Sequence, residues 1–393
     1  MQLSVIIVSY NVRHYLWQCL DSVHRASEGL EMEVWVVDNA SDDDSINYVR
    51  TSFPDVHYIQ NTENVGFARA NNQAIRQSTG KYVLLLNPDT ILAEDTLRGA
   101  IRFMERHSRA GALGIHMINN NGSYAKESRR GLPTPRTAFY KVTGLCKLFP
   151  SNPTFGHYYM GHLSENANGQ TEVISGAFMM LRRKTLDQIG LLDEDYFMYG
   201  EDIDLSYRVI TSGWQCWYSP LQMLHYKGES TQKSSFRYVH SFYNAMLIFF
   251  RKHFARRYWL TWIIVEIMVV VMGIIAFIRN KLLSLWHLLF DHLRTHTPIT
   301  FEPEQLCFIG SDEAWEMLQP ICERAGINGM HINDIGDSPS GFFYLTFEVT
   351  ADGKPYSDML QLLQQAYTEG YKSHIGTFNP QSRVLILPND IFC

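Results

Sequence analysis

Over the first 110 residues, short apolar runs alternate with stretches of helical spacing. The runs predict strands at Leu3–Ser9, Glu33–Asp38, His57–Gln60 and Tyr82–Asn87. The intervening periodicity predicts helices over Arg13–Ser27, Ser45–Ser52, Ala68–Ser78 and Ala93–His107. Strand and helix in strict alternation argue for an α/β architecture, a parallel sheet with helices on both faces. From about residue 110 to about residue 170 the pattern fades. There "NNNGSYAKESRRGLPTP" and "SNPTFGHYYMGHLSENANGQ" read as turn-rich, mobile loops. Strand character returns at Glu172–Leu181, and a helix is expected to begin near Glu201.

The second half changes character. Residues 234–258 read as an aromatic, basic helix. Leu260–Ile278 follows, nineteen residues with a single charge, Glu266. At about 1.5 Å per residue it is long enough for a hydrocarbon core of about 30 Å, although a buried core helix has the same pattern. Arg251, Lys252, Arg256 and Arg257 precede it, against Arg279 and Lys281 after it, which places residues 1–257 on the cytoplasmic side of an inner membrane. Leu282–His296 is amphipathic and suits the membrane interface. A βα unit closes the chain: strand Leu306–Ile309, helix Glu313–Ala325, strand Phe342–Val349, helix Ser357–Glu369 and strand Arg383–Leu387. In it, "CFIGSDEAWEML" hints at a Rossmann-like half, on one glycine only. The expected division is residues 1–235, a membrane-associated region 236–299, and an accessory α/β domain 300–393. A single crossing would put that last domain outside the cytoplasm; a segment that dips in and returns would keep both domains together.

Composition narrows the classes. A net charge of −6 and a pI of 6.2 provide no basic field, so nucleic acid is not an expected partner. Six cysteines are scattered without C-x-x-C spacing, which reads as reduced thiols and favours both domains on the cytoplasmic side. "MQLSVIIVSYN" lacks a basic start and a cleavage site, so it reads as a strand rather than a signal peptide.

Candidate chemistry gathers at strand ends, where open α/β sheets hold ligands. Ser9, Tyr10 and Asn11 end the first strand, and Asp38 ends the second. Asp38 could accept a hydrogen bond from a pyrimidine N–H or simply cap an ordinary turn. "NVGFARANN" joins Asn64 and Gly66 to a helix start at Phe67, a shape that suits a diphosphate, yet it is neither a P-loop nor a G-x-G-x-x-G fingerprint. "LLLNPDT" runs an apolar strand into Asn87, Pro88 and Asp89. One carboxylate plus diphosphate oxygens is a common way to hold Mg2+ or Mn2+; a turn aspartate is the plainer alternative. His225 could be a second metal ligand, a phosphate contact or a structural histidine. "MYGEDIDLSYR" sets Glu201, Asp202 and Asp204 at a helix start. Asp204 and Arg208 have i,i+4 spacing, which fits a helix-face ion pair. Asp202 lies on another face, where it could take a proton or merely favour the helix dipole.

The ordered set "VIIVSYN", "VVDNASDDDS", "NVGFARANN", "LLLNPDT", "SGAFMMLRR", "LDEDYFMYGEDIDLSYR", "WYSP" and "HYKGES" strongly resembles the family-2 inverting glycosyltransferases, particularly their rhamnosyltransferase-like branch, over about residues 1–250. The resemblance implies a GT-A fold, an open mixed sheet. It also implies a nucleoside-diphosphate sugar as donor, a glycan or polyprenol-linked acceptor, and a divalent metal. On it, Asp38 matches the base-reading aspartate, with the Ser9–Asn11 strand end also facing the nucleotide. Asp89 matches the last acid of D-x-D, whose first acid is Asn87 here, so that His225 could share the metal. Gly176 and Ala177 match the sugar-pocket strand, Asp202 the catalytic base, and Glu201 its supporting acid. The resemblance thereby implies one displacement with inversion and no enzyme nucleophile. Two rivals are a nucleotidyltransferase, for which "SYNVRHYL" lacks a glycine-rich run, and a non-catalytic membrane scaffold.

Overall fold

The structure is a computed structural model describing residues 1–227, 236–254, 304–350, 353–388 and 390–393. The apolar stretch Leu260–Ile278 and the amphipathic Leu282–His296 lie outside the described residues. Among the described residues, no helix is long and apolar enough to cross a membrane.

The N-terminal part runs β1 (Leu3–Ser9), α1 (Arg13–Ala26), β2 (Met32–Asp38), α2 (Ser45–Arg50), β3 (His57–Gln60), α3 (Phe67–Gln77), β4 (Tyr82–Leu86), β5 (Thr90–Leu92) and α4 (Thr96–Arg106). It continues through β6 (Ala110–Ile118), α5 (Pro135–Val142), α6 (Leu145–Leu148), β7 (Gly169–Thr171), β8 (Phe178–Arg182), α7 (Arg183–Ile189), α8 (Glu201–Thr211), β9 (Gln215–His225) and α9 (Phe236–His253). The sheet order is β3-β2-β1-β4-β8-β6-β9-β5, with β7 beside β9. The alternation over the first 110 residues predicts parallel strands there, and β1 does pair in parallel with both β2 and β4. The whole sheet is mixed, as the resemblance implies, because β8 runs antiparallel to β4 and β6, and β5 and β7 run antiparallel to β9. A strand buried on both faces has the same apolar run whichever way it points.

Two local expectations also change. β6, "AGALGIHMI", lies inside a region read as loop, yet all nine residues are buried. Its glycines hid it, and packing explains them. A Cβ on Gly111 would sit 2.8 Å from Trp214 Cβ, and one on Gly114 2.7 Å from Ile174 Cγ2. The strand expected at Glu172–Leu181 starts only at Phe178, and Ser175–Ala177 form a turn leading into it.

The C-terminal part runs β10 (Gln305–Ile309), α10 (Asp312–Ala325), β11 (Asn328–His331), β12 (Phe342–Glu348), α11 (Tyr356–Thr368), β13 (Lys372–Asn379), β14 (Val384–Leu387) and β15 (Asp390–Phe392). Its sheet order is β11-β10-β12-β13-β14-β15, parallel across the first four. Where a Rossmann-like half would open its first βα turn to a phosphate, Glu348 Oε2 accepts the Ser311 N–H at 2.7 Å. The chain's own carboxylate takes up that donor.

The two sheets share one interface, built largely on α1. Val12, Tyr15, Ile91 and Leu224 pack in one apolar cluster with Phe347, Met359, Leu360 and Ile386. Burying each such side chain stabilises by about 1.5–3 kcal/mol. Polar contacts fix the register: Gln18 Nε2 donates to Thr377 Oγ1 at 2.8 Å, and Tyr356 Oη donates to Asp21 Oδ2 at 2.8 Å. Glu94 accepts the backbone N–H groups of Tyr356 (2.6 Å) and Ser357 (2.9 Å), so a side chain of the first part caps a helix of the second. Glu94→Ala is expected to cost about 1 kcal/mol, read as a lowered urea midpoint, with a smaller loss in Glu94→Gln.

Candidate active site

Beginning with the strand ends, Ser9 and Asp38 are register partners on β1 and β2. Asp38 is buried, and its carboxylate accepts the Ser41 N–H (3.0 Å) and Oγ–H (2.5 Å), the capping turn that its position allowed. Asn11 has φ +54° and laces the neighbouring loop: its N–H donates to Ser41 Oγ (2.9 Å), and its Oδ1 accepts from Asp42 N (2.7 Å). Tyr10 is exposed beside it, whereas Ser9 Oγ is buried without a hydrogen-bond partner. Asn64 Oδ1 accepts the Gly66 N–H at 3.0 Å. Gly66 has φ +85°, and a Cβ there would lie 2.6 Å from Phe197 O. The Phe67 N–H donates to that same carbonyl at 2.8 Å, so the first donor of α3 is used within the protein.

Deeper in, β4 ends at Leu86, and Asn87 N donates to Ala177 O at 3.1 Å. Thr90 and His225 are partners in the β5–β9 pair. This brings His225 Nε2 to 3.3 Å from Asp89 Oδ1 and 3.3 Å from Asn87 Nδ2. Asp89 is buried, and His225 Nδ1 is buried without a hydrogen-bond partner. A carboxylate, an amide and an imidazole thus meet from two separate stretches of chain. Carboxylate and amide oxygens suit a hard divalent cation, imidazole nitrogen a borderline one, and a diphosphate and water would complete the shell. Among the described residues no group of three or more His, Cys, Asp and Glu forms such a site, in keeping with the amide at Asn87.

On the other side of the Ser175–Ala177 turn lies the acidic start of α8. Gly200, at φ +85°, ends the preceding loop and admits the helix. Gly176 N is 3.4 Å from Asp202 Oδ2. A Cβ on Gly176 would meet Asp202 Cβ at 3.6 Å, the Phe67 ring at 3.8 Å and Glu201 Oε1 at 4.0 Å, which places those three around one spot. The turn therefore joins the two groups: Gly176 reaches Asp202, and Ala177 reaches Asn87.

The sequence reading missed Arg130. Its guanidinium pairs with Asp202 Oδ2 at 2.5 Å, and both side chains are largely buried. Burial works against the Arg130 charge, but Asp202 and Tyr158 outweigh it and raise its pKa further. The only available signal was the doubled arginine in "ESRRG", which a turn-rich stretch concealed.

The three acids have three environments. Glu201 is buried with Oε2 unpartnered, and burial, then the Asp202 charge, push it up to about 8. Asp202 faces Arg130 and the Gly176 amide. Asp204 is fully buried and accepts from Arg208 Nε (2.7 Å), His253 Nε2 (2.7 Å) and Lys252 Nζ (2.9 Å). The helix-face pair with Arg208 is present, and α9 adds the Lys252 ammonium and the His253 imidazole.

Glu201 has a sign that can be checked. Its native form holds a proton more tightly than the unfolded chain, so its burial costs nothing below pH 4.5 and destabilises progressively towards about pH 8. Glu201→Gln is expected to gain stability over the wild type as pH rises through that window, read as diverging urea midpoints.

Known proteins share this arrangement's sequence frame. Residues 4–190 match the model of the family described as Glycosyl transferase family 2. The chain is similar to an N-acetylglucosaminyl-diphospho-decaprenol L-rhamnosyltransferase of Mycobacterium tuberculosis, with 29% identity over 259 residues, 63% of this chain and 83% of the relative. It is also similar to the rhamnosyltransferase WbbL of Escherichia coli, with 24% identity over 256 residues, 60% of this chain and 91% of the relative. Among solved structures, the mannosyltransferase PcManGT of Pyrobaculum calidifontis in complex with GDP-Man and Mn2+ is 21% identical with a TM-score of 0.42, covering 64% of this chain and 63% of that one. TarS of S. aureus in complex with UDP-GlcNAc is 19% identical with a TM-score of 0.44, covering 63% of this chain and 65% of that one. The chain thus spans just under two thirds of these two solved proteins. Residues 4–190, which carry β1 to β8 and the strand-end acids Asp38 and Asp89, are thus similar to the family-2 glycosyltransferases, and two of the similar proteins are rhamnosyltransferases.

Proposed function

We propose that this chain transfers a sugar, rhamnose being the leading candidate, from a nucleoside diphosphate to a hydroxyl of a glycan or polyprenol-linked acceptor, with inversion. The observation that carries this is the Ser175–Ala177 turn, which ties Asp202 to Gly176 and Asn87 to Ala177. Proton acceptor and diphosphate end are thereby anchored to one rigid piece of backbone. The rhamnosyltransferase relatives support the sugar, and the decaprenol in one relative's name supports a lipid-linked acceptor.

In this reading the acceptor hydroxyl sits against Asp202. Its oxygen forms the bond to the anomeric carbon as the bond to the diphosphate oxygen breaks, and Asp202 takes the proton. Arg130 fixes the Asp202 carboxylate, and Glu201, held protonated by burial, keeps a second negative charge away from the same spot. Asp38 and the Ser9–Asn11 strand end line the nucleotide side, where a pyrimidine base would fit, and Asn64, Gly66 and Phe67 border it. Asp89 and His225, with Asn87 beside them, would hold a divalent cation, Mg2+ or Mn2+, which would supply positive charge against the departing diphosphate.

The attachment we propose is to a cytoplasmic membrane, through the region beyond α9, with the catalytic part facing the cytoplasm. Support comes from the α1 interface, across which the first part of the chain and residues 304–393 pack together, as two parts on one side of a bilayer would. That favours a segment that enters and returns over a single crossing, and makes residues 300–393 a companion domain to the catalytic one.

Asp202→Asn is expected to cut transfer by at least about a hundredfold while leaving donor affinity nearly unchanged. Release of nucleoside diphosphate and calorimetry with sugar nucleotides measure the two; equal turnover would remove the base assignment. Asp89→Ala is expected to weaken donor binding only when Mg2+ or Mn2+ is present. An unaltered metal titration would take Asp89 out of the cation site.

A further inference from the structure

The excursion between Arg130 and Tyr158 carries none of the residues assigned above to the transfer chemistry. It departs beside the Arg130–Asp202 pair and returns where Gly131 N donates to Tyr158 O at 3.0 Å. Between them α5 and α6 form a small built unit. Thr134 Oγ1 accepts the Thr137 N–H at 3.2 Å, capping α5, and Cys146 is buried beneath α6. Tyr140 and Phe149 both pack on Phe155, with ring centres 5.1 and 5.7 Å apart. Lys141 Nζ stands 3.7 Å from the centre of the Tyr158 ring.

Despite these internal contacts, the unit turns apolar side chains to water. Phe139 is 54% exposed, Leu148 71% and Phe149 51%. Clustered exposed apolar groups mark a surface that something covers. Charge indicates what covers it. Residues 131–164 hold Arg136, Lys141 and Lys147 and no Asp or Glu, in a chain whose net charge is −6. Arg136 and Lys147 are exposed beside the apolar tips. A face meant for water mixes both signs of charge. Apolar tips among cations, with carboxylates excluded from the whole stretch, match an anionic bilayer, whose acyl boundary takes the tips and whose headgroup phosphates take the cations.

We propose that α5 and α6 form a foot that docks on an anionic membrane surface through Phe139, Leu148 and Phe149. The inference goes beyond the transfer reaction, and its readout is lipid contact. A chain without transferase activity would therefore still pass or fail the test.

Five of the six cysteines are buried and Cys393 is exposed, so a Cys393→Ser background accepts a single new label. Full-length protein carrying Leu148→Cys and an NBD fluorophore is reconstituted in nanodiscs, either of equal parts phosphatidylglycerol and phosphatidylcholine or of phosphatidylcholine alone. A second label at Asp55→Cys, exposed near the β3 edge, is the reference. On the anionic bilayer the label at 148 is expected to shift to the blue and to lose emission to doxyl-lipid, while the label at 55 does neither. Phosphatidylcholine alone, or Arg136→Glu with Lys147→Glu, is expected to abolish the effect. Water-like emission at 148 on the anionic bilayer would overturn the proposal. A blue shift already present without lipid, which marks a protein contact, or quenching indifferent to lipid charge would overturn it equally.

Discussion

One short turn sets the geometry of this site. Ser175–Ala177 lead into β8, and β8 is clamped between β4 and β6, so the turn has little freedom. Its Gly176 amide points to Asp202 and its Ala177 carbonyl receives Asn87 N. Asp202 and Asp89 are more than a hundred residues apart in sequence, yet each is one contact away from the same piece of backbone or its neighbour. Catalysis that depends on two groups acting on opposite ends of one bond needs that kind of rigidity, because small misplacement is costly.

Around that turn, environment rather than residue type assigns the carboxylates their tasks. Glu201, Asp202 and Asp204 are chemically similar and nearly consecutive. Burial next to another acid raises Glu201, an arginine and an amide face Asp202, and an arginine, a lysine and an imidazole surround Asp204. For Asp204, burial opposes the charge, but His253, Arg208 and Lys252 outweigh it and hold the carboxyl well below its usual range. Neighbouring titratable groups whose surroundings push them apart can serve different roles in one site.

How far the chain could be read in advance follows the range of the interactions. β1, β2 and β4 were legible because each holds a compact apolar run, and α8 because its acids announce a helix start. β6 was not, because Gly111 and Gly114 answer to Trp214 and Ile174, side chains far along the chain from the strand itself. β13 was missed for a similar reason: "KSHIGTFN" has polar residues whose burial depends on α1 and β12. The residue types at Asn87, Asp89 and His225 were legible, and their meeting rests on the β5–β9 pairing, which no local pattern encodes. Arg130 lay outside reach altogether, since its meaning is a partner 72 positions along.

The same α8 that opens with Asp202 is tied at Asp204 to the end of α9. Removing one partner from a buried charge cluster of this kind costs about 3–5 kcal/mol, because the remaining charge is left uncompensated in a low-dielectric setting. Lys252 also reaches Asp193, at 2.6 Å, so α9 grips the loop before α8 as well as the helix itself. Tyr207 packs against Phe249 and His253 along the same seam. The last described turn of α9 is therefore tied firmly to the helix that carries Asp202. Whatever follows α9 in the chain starts from a fixed position relative to the site, and the α1 interface fixes residue 304 in the same frame.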